Sequence, residues 1–118
     1  MTIKYMRIWD INVKYLCQKH LVAEHRELHG LWNILTIHNE QGGYSRHPET
    51  LRWKGKLRAL YNRHEKLVEE MKDRKYNHYS PLDKKFIQGS EAQKIFINTV
   101  QEQKEILKNK PCACFISN

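Results

Sequence analysis

Apolar residues recur at helical spacing from Val13 to Leu35 and predict one long helix near the start of the chain. Neighbours on this stripe are three or four positions apart, which is the spacing of one face of an α-helix. Asp10 or Asn12 is the candidate N-cap, and Gly42-Gly43 follows the expected end. The stripe consists of Val13, Leu16, Cys17, His20, Leu21, Glu24, Leu28, Leu31, Trp32 and Leu35. We expect so long a helix to be central to the fold.

A second stripe, from Trp53 to Met71, predicts another long helix, and Pro48 in front of it suits a first helical position. Turn-forming residues between 39 and 50 separate the two helices. His64 lies on this stripe, where a hydrogen-bonded core histidine is more common than a ligand. The stripe consists of Trp53, Leu57, Leu60, Tyr61, His64, Leu67, Val68 and Met71. Lysines and arginines flank it, so the outer face of this helix is basic.

Shorter helices are predicted after the second long one. Residues 80–83 (Ser-Pro-Leu-Asp) resemble a capped short helix, and residues 88–90 (Gln-Gly-Ser) break the chain again. Residues 99–102 (Thr-Val-Gln-Glu) fit a capping box and predict a short helix through Leu107, with residues 92–97 as a preceding helical turn.

These elements predict an all-α fold, a compact single domain of two long helices plus one or two shorter helices. We expect residues 1–118 to form one domain, since a chain of this length is enough for one core and too short for two. Residues 1–10 alternate in hydrophobicity and are expected to be a short extended N-terminal arm, and residues 108–118 a short C-terminal tail.

The net charge of +8 indicates an anionic partner, and nucleic acid fits best because phosphate neutralisation rewards a basic face. No long apolar run and no signal-peptide pattern is present, so we expect no membrane partner and a cytoplasmic location. The odd number of cysteines argues against a disulfide framework. Cys17 fits a core position, and Cys112 and Cys114 are a weak signal for zinc.

The first predicted helix also carries candidate chemistry. His20, Glu24 and Glu27 project from one face at the edge of the apolar stripe. A carboxylate there is partly desolvated, so its pKa is shifted unless a cation such as Arg26 or Arg7 compensates it. This suits an acid/base catalyst, and ordinary charge pairs one helical turn apart are the structural alternative. A further alternative is a metal site of His25 and His29 with His20 or Glu24, although no H-E-x-x-H spacing is present.

The block from His20 to Leu28 (His-Leu-Val-Ala-Glu-His-Arg-Glu-Leu), with Arg7-Ile8 and Leu16, resembles the pyrimidine-dimer DNA glycosylases of the phage endonuclease V type. Pro48, Arg63 and the segment 72–77 agree more loosely. The resemblance implies a compact helical enzyme that binds double-stranded damaged DNA, removes a damaged pyrimidine and cuts the strand, without a metal or organic cofactor. It implies that a free α-amine attacks the sugar C1′ and forms an imine, which permits β-elimination of the 3′ phosphate.

Site residues follow from the same resemblance. It implies that Glu27 is the catalytic carboxylate, which stabilises positive charge on the sugar and moves the C2′ proton. Arg7 and Arg26 would hold phosphates beside the lesion. His20 would position the sugar or the carboxylate, and Glu24 would support this network from the helix edge.

The matched position of the amine nucleophile is Met6, so we expect the functional chain to begin there. The rival start leaves Thr2 as the amine after removal of Met1, on an arm that must fold back to Glu27. Gly30 stands where the family has an arginine, and the family's aromatic, basic tail for damaged DNA is missing. Cleavage at abasic sites needs only the amine and Glu27.

The loop between the long helices offers further DNA contacts. Tyr44 and Trp53 could stack on unstacked bases while Arg46, His47 and Arg52 hold the backbone, and a solvated loop is the structural alternative. We expect a monomer. The competing function is a non-catalytic, basic, helical DNA-binding module.

Overall fold

The computed structural model describes residues 7–37, 46–77, 80–110 and Cys114. Within this part of the chain the regular structure is helical throughout and contains no strand. The helices are α1 (Gln18–Leu35), α2 (Pro48–Trp53), α3 (Leu57–Asp73) and α4 (Val100–Lys108), with two 3-10 turns at Val13–Tyr15 and Lys84–Phe86. The prediction of an all-α fold with two long and two shorter helices is confirmed.

The first long helix begins later than the apolar stripe predicts. Asn12 caps the 3-10 turn instead of α1, because its side chain accepts a hydrogen bond of 3.0 Å from the Lys14 amide. Leu16 is fully buried in an extended conformation, and Cys17 is the N-cap of α1. Packing of Leu16 into the core therefore interrupts a stripe that is continuous in the sequence. At the other end α1 stops at Leu35, and Gly42-Gly43 lies outside the described residues.

The second predicted helix is divided into α2 and α3 by a turn at residues 54–56. Pro48 stands in the first turn of α2, as predicted. Gly55 has a φ of +73°, a backbone conformation that residues other than glycine rarely adopt. The carbonyls of Gln88 and Ser90 accept hydrogen bonds from the first amides of α3, Arg58 and Ala59, at 2.9 and 3.1 Å. The 88–90 segment therefore caps α3 from outside the helix.

The last helix follows its sequence signal. Thr99 and Glu102 form the predicted capping box at the start of α4. The predicted helical turn over residues 92–97 is absent, since this segment is non-helical. Its backbone is used in other ways, because the Ile95 carbonyl accepts a hydrogen bond from Arg52 and the Ile95 amide donates to the Gln93 side chain. The 80–83 segment is likewise not a helix, and Asp83 caps the 3-10 turn that follows it.

The core lies mainly between α1 and α3, whose predicted stripes face each other. Residues of the N-terminal segment, Ile8, Trp9 and Ile11, are buried against the same cluster. Arm residues 7–10 are non-helical, as expected, and residues 1–6 lie outside the described part. Among the described residues no helix is long and apolar enough to span a membrane.

Candidate active site

A pocket of about 480 Å³ opens between the first half of α1 and the start of α2. It brings together four residues that the sequence singles out as functional, Arg7, His20, Glu27 and His47. Its complete lining is Arg7, Trp9, Lys19, His20, Ala23, Glu27, His47, Pro48, Glu49, Ile97, Ile106 and Lys110. The lining therefore combines cations, carboxylates and apolar side chains.

Helical spacing explains why Glu27 reaches this pocket. His20, Ala23 and Glu27 are three and four positions apart, so they share the face of α1 that lines the pocket. Alanine at position 23 leaves space between the imidazole and the carboxylate. The pocket floor is thus a property of one helical face, as the sequence indicates.

The Glu27 carboxyl is held in an unusual electrostatic environment. Partial burial raises the pKa of Glu27 to about 7, and the charges of Glu24 and Glu49 act in the same direction. A hydrogen bond from the Arg7 backbone amide and the charge of Arg26 act against this rise in pKa. Glu27 therefore exists near neutral pH as a mixture of acid and carboxylate, which suits a group that both donates and accepts protons.

Glu24 does not lie at the helix edge, as the sequence predicts, but is fully buried. Two guanidinium nitrogens of Arg63, in α3, donate to this carboxylate: Nε to Oε2 at 2.7 Å and Nη2 to Oε1 at 3.0 Å. Burial raises the pKa of Glu24, and the Arg63 guanidinium opposes this. The role of Arg63 is not apparent from the sequence, because its partner is 39 positions away.

Two arginines, Arg52 buried and Arg63 largely so, fix the N-terminal segment against this network. Arg63 donates to the Ile11 carbonyl at 2.7 Å, and Arg52 donates to the Ile8 carbonyl at 2.8 Å. Asp10 binds Arg52 at 3.0 Å. These bonds hold the segment so that the Arg7 amide meets the Glu27 carboxyl.

Arg52 is therefore a structural residue, and the expectation that it contacts DNA is wrong for this structure. It is 4% exposed, and each of its N–H donors has a partner inside the protein. Trp53 is also buried and donates to Glu49 at 3.0 Å, so it cannot stack on a base. Glu49 accepts hydrogen bonds from both Arg52 and Trp53. In the sequence, only its i,i+3 spacing to Arg52 indicates this role.

The other predicted cations differ in their surroundings. Arg7 lies over the Trp9 ring at 4.8 Å and donates to Asn98 at 3.0 Å, so its position is well defined. Arg26 is exposed and lies with Lys19 in a shallow groove beside the pocket. Arg46 is exposed as well. Arg7 and Lys19 line the pocket that contains Glu27, and Arg26 adds positive charge to the adjoining groove.

His20 and His47 both have structural partners as well as a place in the pocket. His47 is the N-cap of α2, and its Nδ1 accepts from the Glu49 amide at 3.0 Å. Nδ1 of His20 lies 3.3 Å from Cys17 Sγ and 3.5 Å from Cys114 Sγ. Burial, together with the nearby Lys110 and Lys19, lowers the pKa of His20, so the neutral ring is favoured.

Three of the predicted site residues, Met6, Thr2 and Tyr44, lie outside the described residues, as does Cys112. The alternative metal set also changes. His25 and His29 come together with His64, whereas Glu24 is bound to Arg63 and His20 faces the sulfurs of Cys17 and Cys114.

A helical fold with a titratable glutamate in a pocket surrounded by cations is suited to chemistry on a DNA backbone. A family model described as pyrimidine dimer DNA glycosylase matches residues 6–84, more than half of the chain. The chain belongs to the pyrimidine dimer DNA glycosylase family, and hence to the DNA repair glycosylases. Neither the curated proteins nor the solved structures contain a significant match.

Proposed function

We propose that this protein removes damaged pyrimidines from double-stranded DNA and cleaves the resulting abasic site, using a chain-terminal α-amine and Glu27. The observation that carries the proposal is the hydrogen bond between the Arg7 backbone amide and the Glu27 carboxyl. Consecutive Cα atoms are about 3.8 Å apart. If the chain begins at the residue before Arg7, its α-amine is therefore only one residue along the chain from the amide that contacts the Glu27 carboxyl. The family match also begins at residue 6. Met6 is therefore our choice of nucleophile, with Thr2 as its rival.

The first step is glycosidic cleavage. The neutral amine forms a bond to C1′ while the bond from C1′ to the base nitrogen breaks and the base leaves with a proton. An α-amine has a reference pKa of about 7.7 to 8.0, so it offers a much larger neutral fraction near neutral pH than a lysine at about 10.4. Glu27 in its acid form supplies a proton, and as carboxylate it stabilises the developing positive charge on the sugar.

The second step is strand cleavage. The positively charged nitrogen on C1′ gives a proton to the ring oxygen O4′ as the C1′–O4′ bond breaks, which leaves a protonated imine between the nitrogen and C1′. This imine makes the C2′ proton acidic. Glu27 as carboxylate removes that proton, the C3′–O3′ bond breaks, and the 3′ phosphate leaves. The intermediate pKa of Glu27 supports both roles, since one group acts as acid and then as base.

The surface around the pocket fits a DNA backbone. Arg7 is held over Trp9, the exposed Lys19 lines the pocket together with Glu27, and the exposed Arg26 lies in the adjoining groove. These charges would neutralise phosphates next to the lesion, so binding should weaken steeply as salt is raised. A pocket of about 480 Å³ can accept a sugar and part of an extruded nucleotide.

Borohydride trapping on a duplex with one abasic site tests the proposal. A covalent adduct is expected with a chain that begins at Met6, and peptide mapping should place it on the terminal residue. Lys19 and Lys110 also line the pocket, so an adduct on either would contradict the α-amine while retaining imine chemistry. Chains that begin at Thr2 or Met1 should trap less.

The matched variants separate catalysis from binding. Glu27→Gln should abolish strand cleavage and retain DNA affinity, while Glu105→Gln, an exposed glutamate on α4, should leave both unchanged. A protein that binds abasic DNA tightly but gives no adduct and no cleavage would instead be the non-catalytic binding module. Parallel reactions with UV-irradiated DNA show whether dimers are substrates.

A further inference from the structure

Three histidines from the two long helices meet on a side of α1 that the active-site pocket does not use. His25 and His29 are one turn apart on α1, and His64 comes from α3. A nitrogen of each ring lies within 4.8 Å of a nitrogen of the other two. His64 is completely buried and His25 nearly so, so the cluster is built into the packing of α1 on α3.

The Ser80 carbonyl oxygen points into the same cluster. It lies 3.4 Å from His25 Nε2, 3.0 Å from His29 Nε2 and 2.9 Å from His64 Nε2. His29 Nε2 and His64 Nε2 are themselves 3.2 Å apart. Ligands bound tetrahedrally to zinc at about 2.0 to 2.1 Å are about 3.3 Å from each other. The distances from the Ser80 oxygen to the three nitrogens, and that between His29 and His64, are thus close to those of a tetrahedral ligand set.

The proton on His64 makes one contact in this cluster unfavourable unless a cation lies between the ring and the Ser80 oxygen. Nδ1 of His64 lies 2.7 Å from a carboxylate oxygen of Glu65, and a carboxylate accepts hydrogen bonds only, so Nδ1 carries the proton. In a neutral ring, Nε2 of His64 then presents a lone pair to the lone pairs of the Ser80 oxygen. A metal ion in the centre removes this repulsion, and a carboxylate on the far nitrogen is the usual partner of a metal-binding histidine.

We propose that His25, His29 and His64 bind one divalent transition-metal ion of the zinc class through their Nε2 atoms, with the Ser80 carbonyl oxygen as fourth ligand. Imidazole nitrogen suits zinc, copper and nickel, whereas magnesium and calcium require oxygen ligands. Zinc fits a tetrahedral set of this kind best.

This ion serves the fold, and the inference does not depend on the proposed reaction. None of the three histidines lines the pocket of Glu27. The ion would join α1 to α3 and to the segment that begins at Ser80, next to the Glu24 and Arg63 pair that joins the same helices. A ligand that binds only the folded state stabilises it by mass action, so the folded protein should gain stability from zinc.

Metal titration of the full chain tests the site. Protein stripped with EDTA is titrated with zinc sulfate in a calorimeter and with cobalt chloride in a spectrophotometer. One equivalent should bind at this cluster, and cobalt there should give visible ligand-field bands without a thiolate charge-transfer band. If the one equivalent that binds shows a thiolate charge-transfer band, the metal belongs to Cys17 and Cys114 and the proposal is overturned.

Two variants locate the ion. His29→Gln removes a half-buried ligand and should lower zinc affinity by more than about tenfold, while Glu65→Gln, on an exposed side chain, should lower it by roughly tenfold. Glu105→Gln is the matched control and should bind as the unmodified protein does. Zinc should raise the Tm of the unmodified protein and of the control, and not that of His29→Gln. Equal affinity in all four proteins, or no binding in any, would overturn the proposal.

Discussion

Glu24 and Arg63 form a two-pronged ion pair across the α1 and α3 interface, with N to O distances of 2.7 and 3.0 Å. The Trp9 backbone amide also donates to Glu24, and Nη1 of Arg63 donates to the Ile11 carbonyl. One buried pair therefore holds both long helices and the N-terminal segment. Since that segment brings the Arg7 amide to Glu27, the pair supports the candidate active site as well as the core.

Removal of the cation should be costly. Arg63→Met keeps much of the side-chain volume and leaves Glu24 buried without its counter-charge, which typically costs about 3 to 5 kcal/mol of folding free energy. Urea denaturation followed by circular dichroism measures this loss. The double variant Glu24→Leu/Arg63→Met removes both charges and should recover a large part of it. A single variant as stable as the unmodified protein would show that the pair carries little energy.

Gly89 approaches the turn between α2 and α3 so closely that a side chain cannot fit. A Cβ at this position would lie next to the Gly55 carbonyl oxygen, and the φ of +83° already disfavours other residues. Such a backbone conformation alone costs roughly 1 to 3 kcal/mol of folding free energy. Gly89→Ala should lower the stability by more than this, because the new Cβ also meets the Gly55 carbonyl.

Gly30 provides the opposite case. It lies inside α1, and a Cβ there would meet nothing within 4 Å. Gly30→Ala should stabilise the protein by about 0.5 to 1 kcal/mol, because alanine loses less backbone entropy in a helix. Thermal unfolding of both variants compares the two sites directly. A destabilising Gly30→Ala or a neutral Gly89→Ala would contradict the described backbone.

The helices could be predicted because their signals are local. The capping box at Thr99, the proline at position 48 and the apolar stripes of α1 and α3 each depend on residues within a few turns of one another. The interruption at Leu16 could not be predicted, since it depends on how an extended residue packs against distant parts of the core.

The candidate site shows the same limit. Glu27 and His20 belong to one sequence block, and they line one pocket together with Arg7 from the N-terminal segment. The sequence misplaced Arg52, because an arginine in a polar loop resembles a surface cation until its distant partners Asp10 and the Ile8 carbonyl are known. His64 lies in the core and is hydrogen-bonded, as the sequence predicts, but its proximity to His25 and His29 depends on the register of α1 against α3 and could not be predicted.

The Glu27 carboxyl should lower stability as pH rises. Its pKa in the folded protein is about 7, above the ordinary value of 4.5, so between these values the folded state holds a proton that the unfolded chain has released. The contribution of this carboxyl to the free energy of unfolding is therefore fully present below pH 4.5 and is lost as the pH rises through about 7. The glutamine in Glu27→Gln does not ionise. The Tm of this variant, relative to that of the unmodified protein, should therefore be higher at about pH 8 than at about pH 5.

This measurement is made with EDTA present, so that no bound metal contributes. Glu105→Gln serves as the control and should show no such dependence on pH. A Tm difference for Glu27→Gln that is constant across the range would mean that the Glu27 carboxyl titrates normally. A variant that gains stability and loses strand cleavage would show that Glu27 is kept for catalysis and not for folding.

Arg52 should act on the reaction through the position of the N-terminal segment. Arg52→Gln removes the donors to Ile8 and Asp10, so the Arg7 amide would no longer be fixed beside Glu27. We expect a lower Tm and, well below that Tm, a slower rate of borohydride trapping with little change in DNA affinity. Arg46→Gln, an exposed neighbour in sequence, should do the reverse, with normal Tm, weaker DNA binding and a salt dependence reduced by about one phosphate contact. If Arg52→Gln weakened DNA binding as Arg46→Gln does and left the trapping rate at saturating DNA unchanged, Arg52 would have to reach the DNA itself, and its buried position would be wrong.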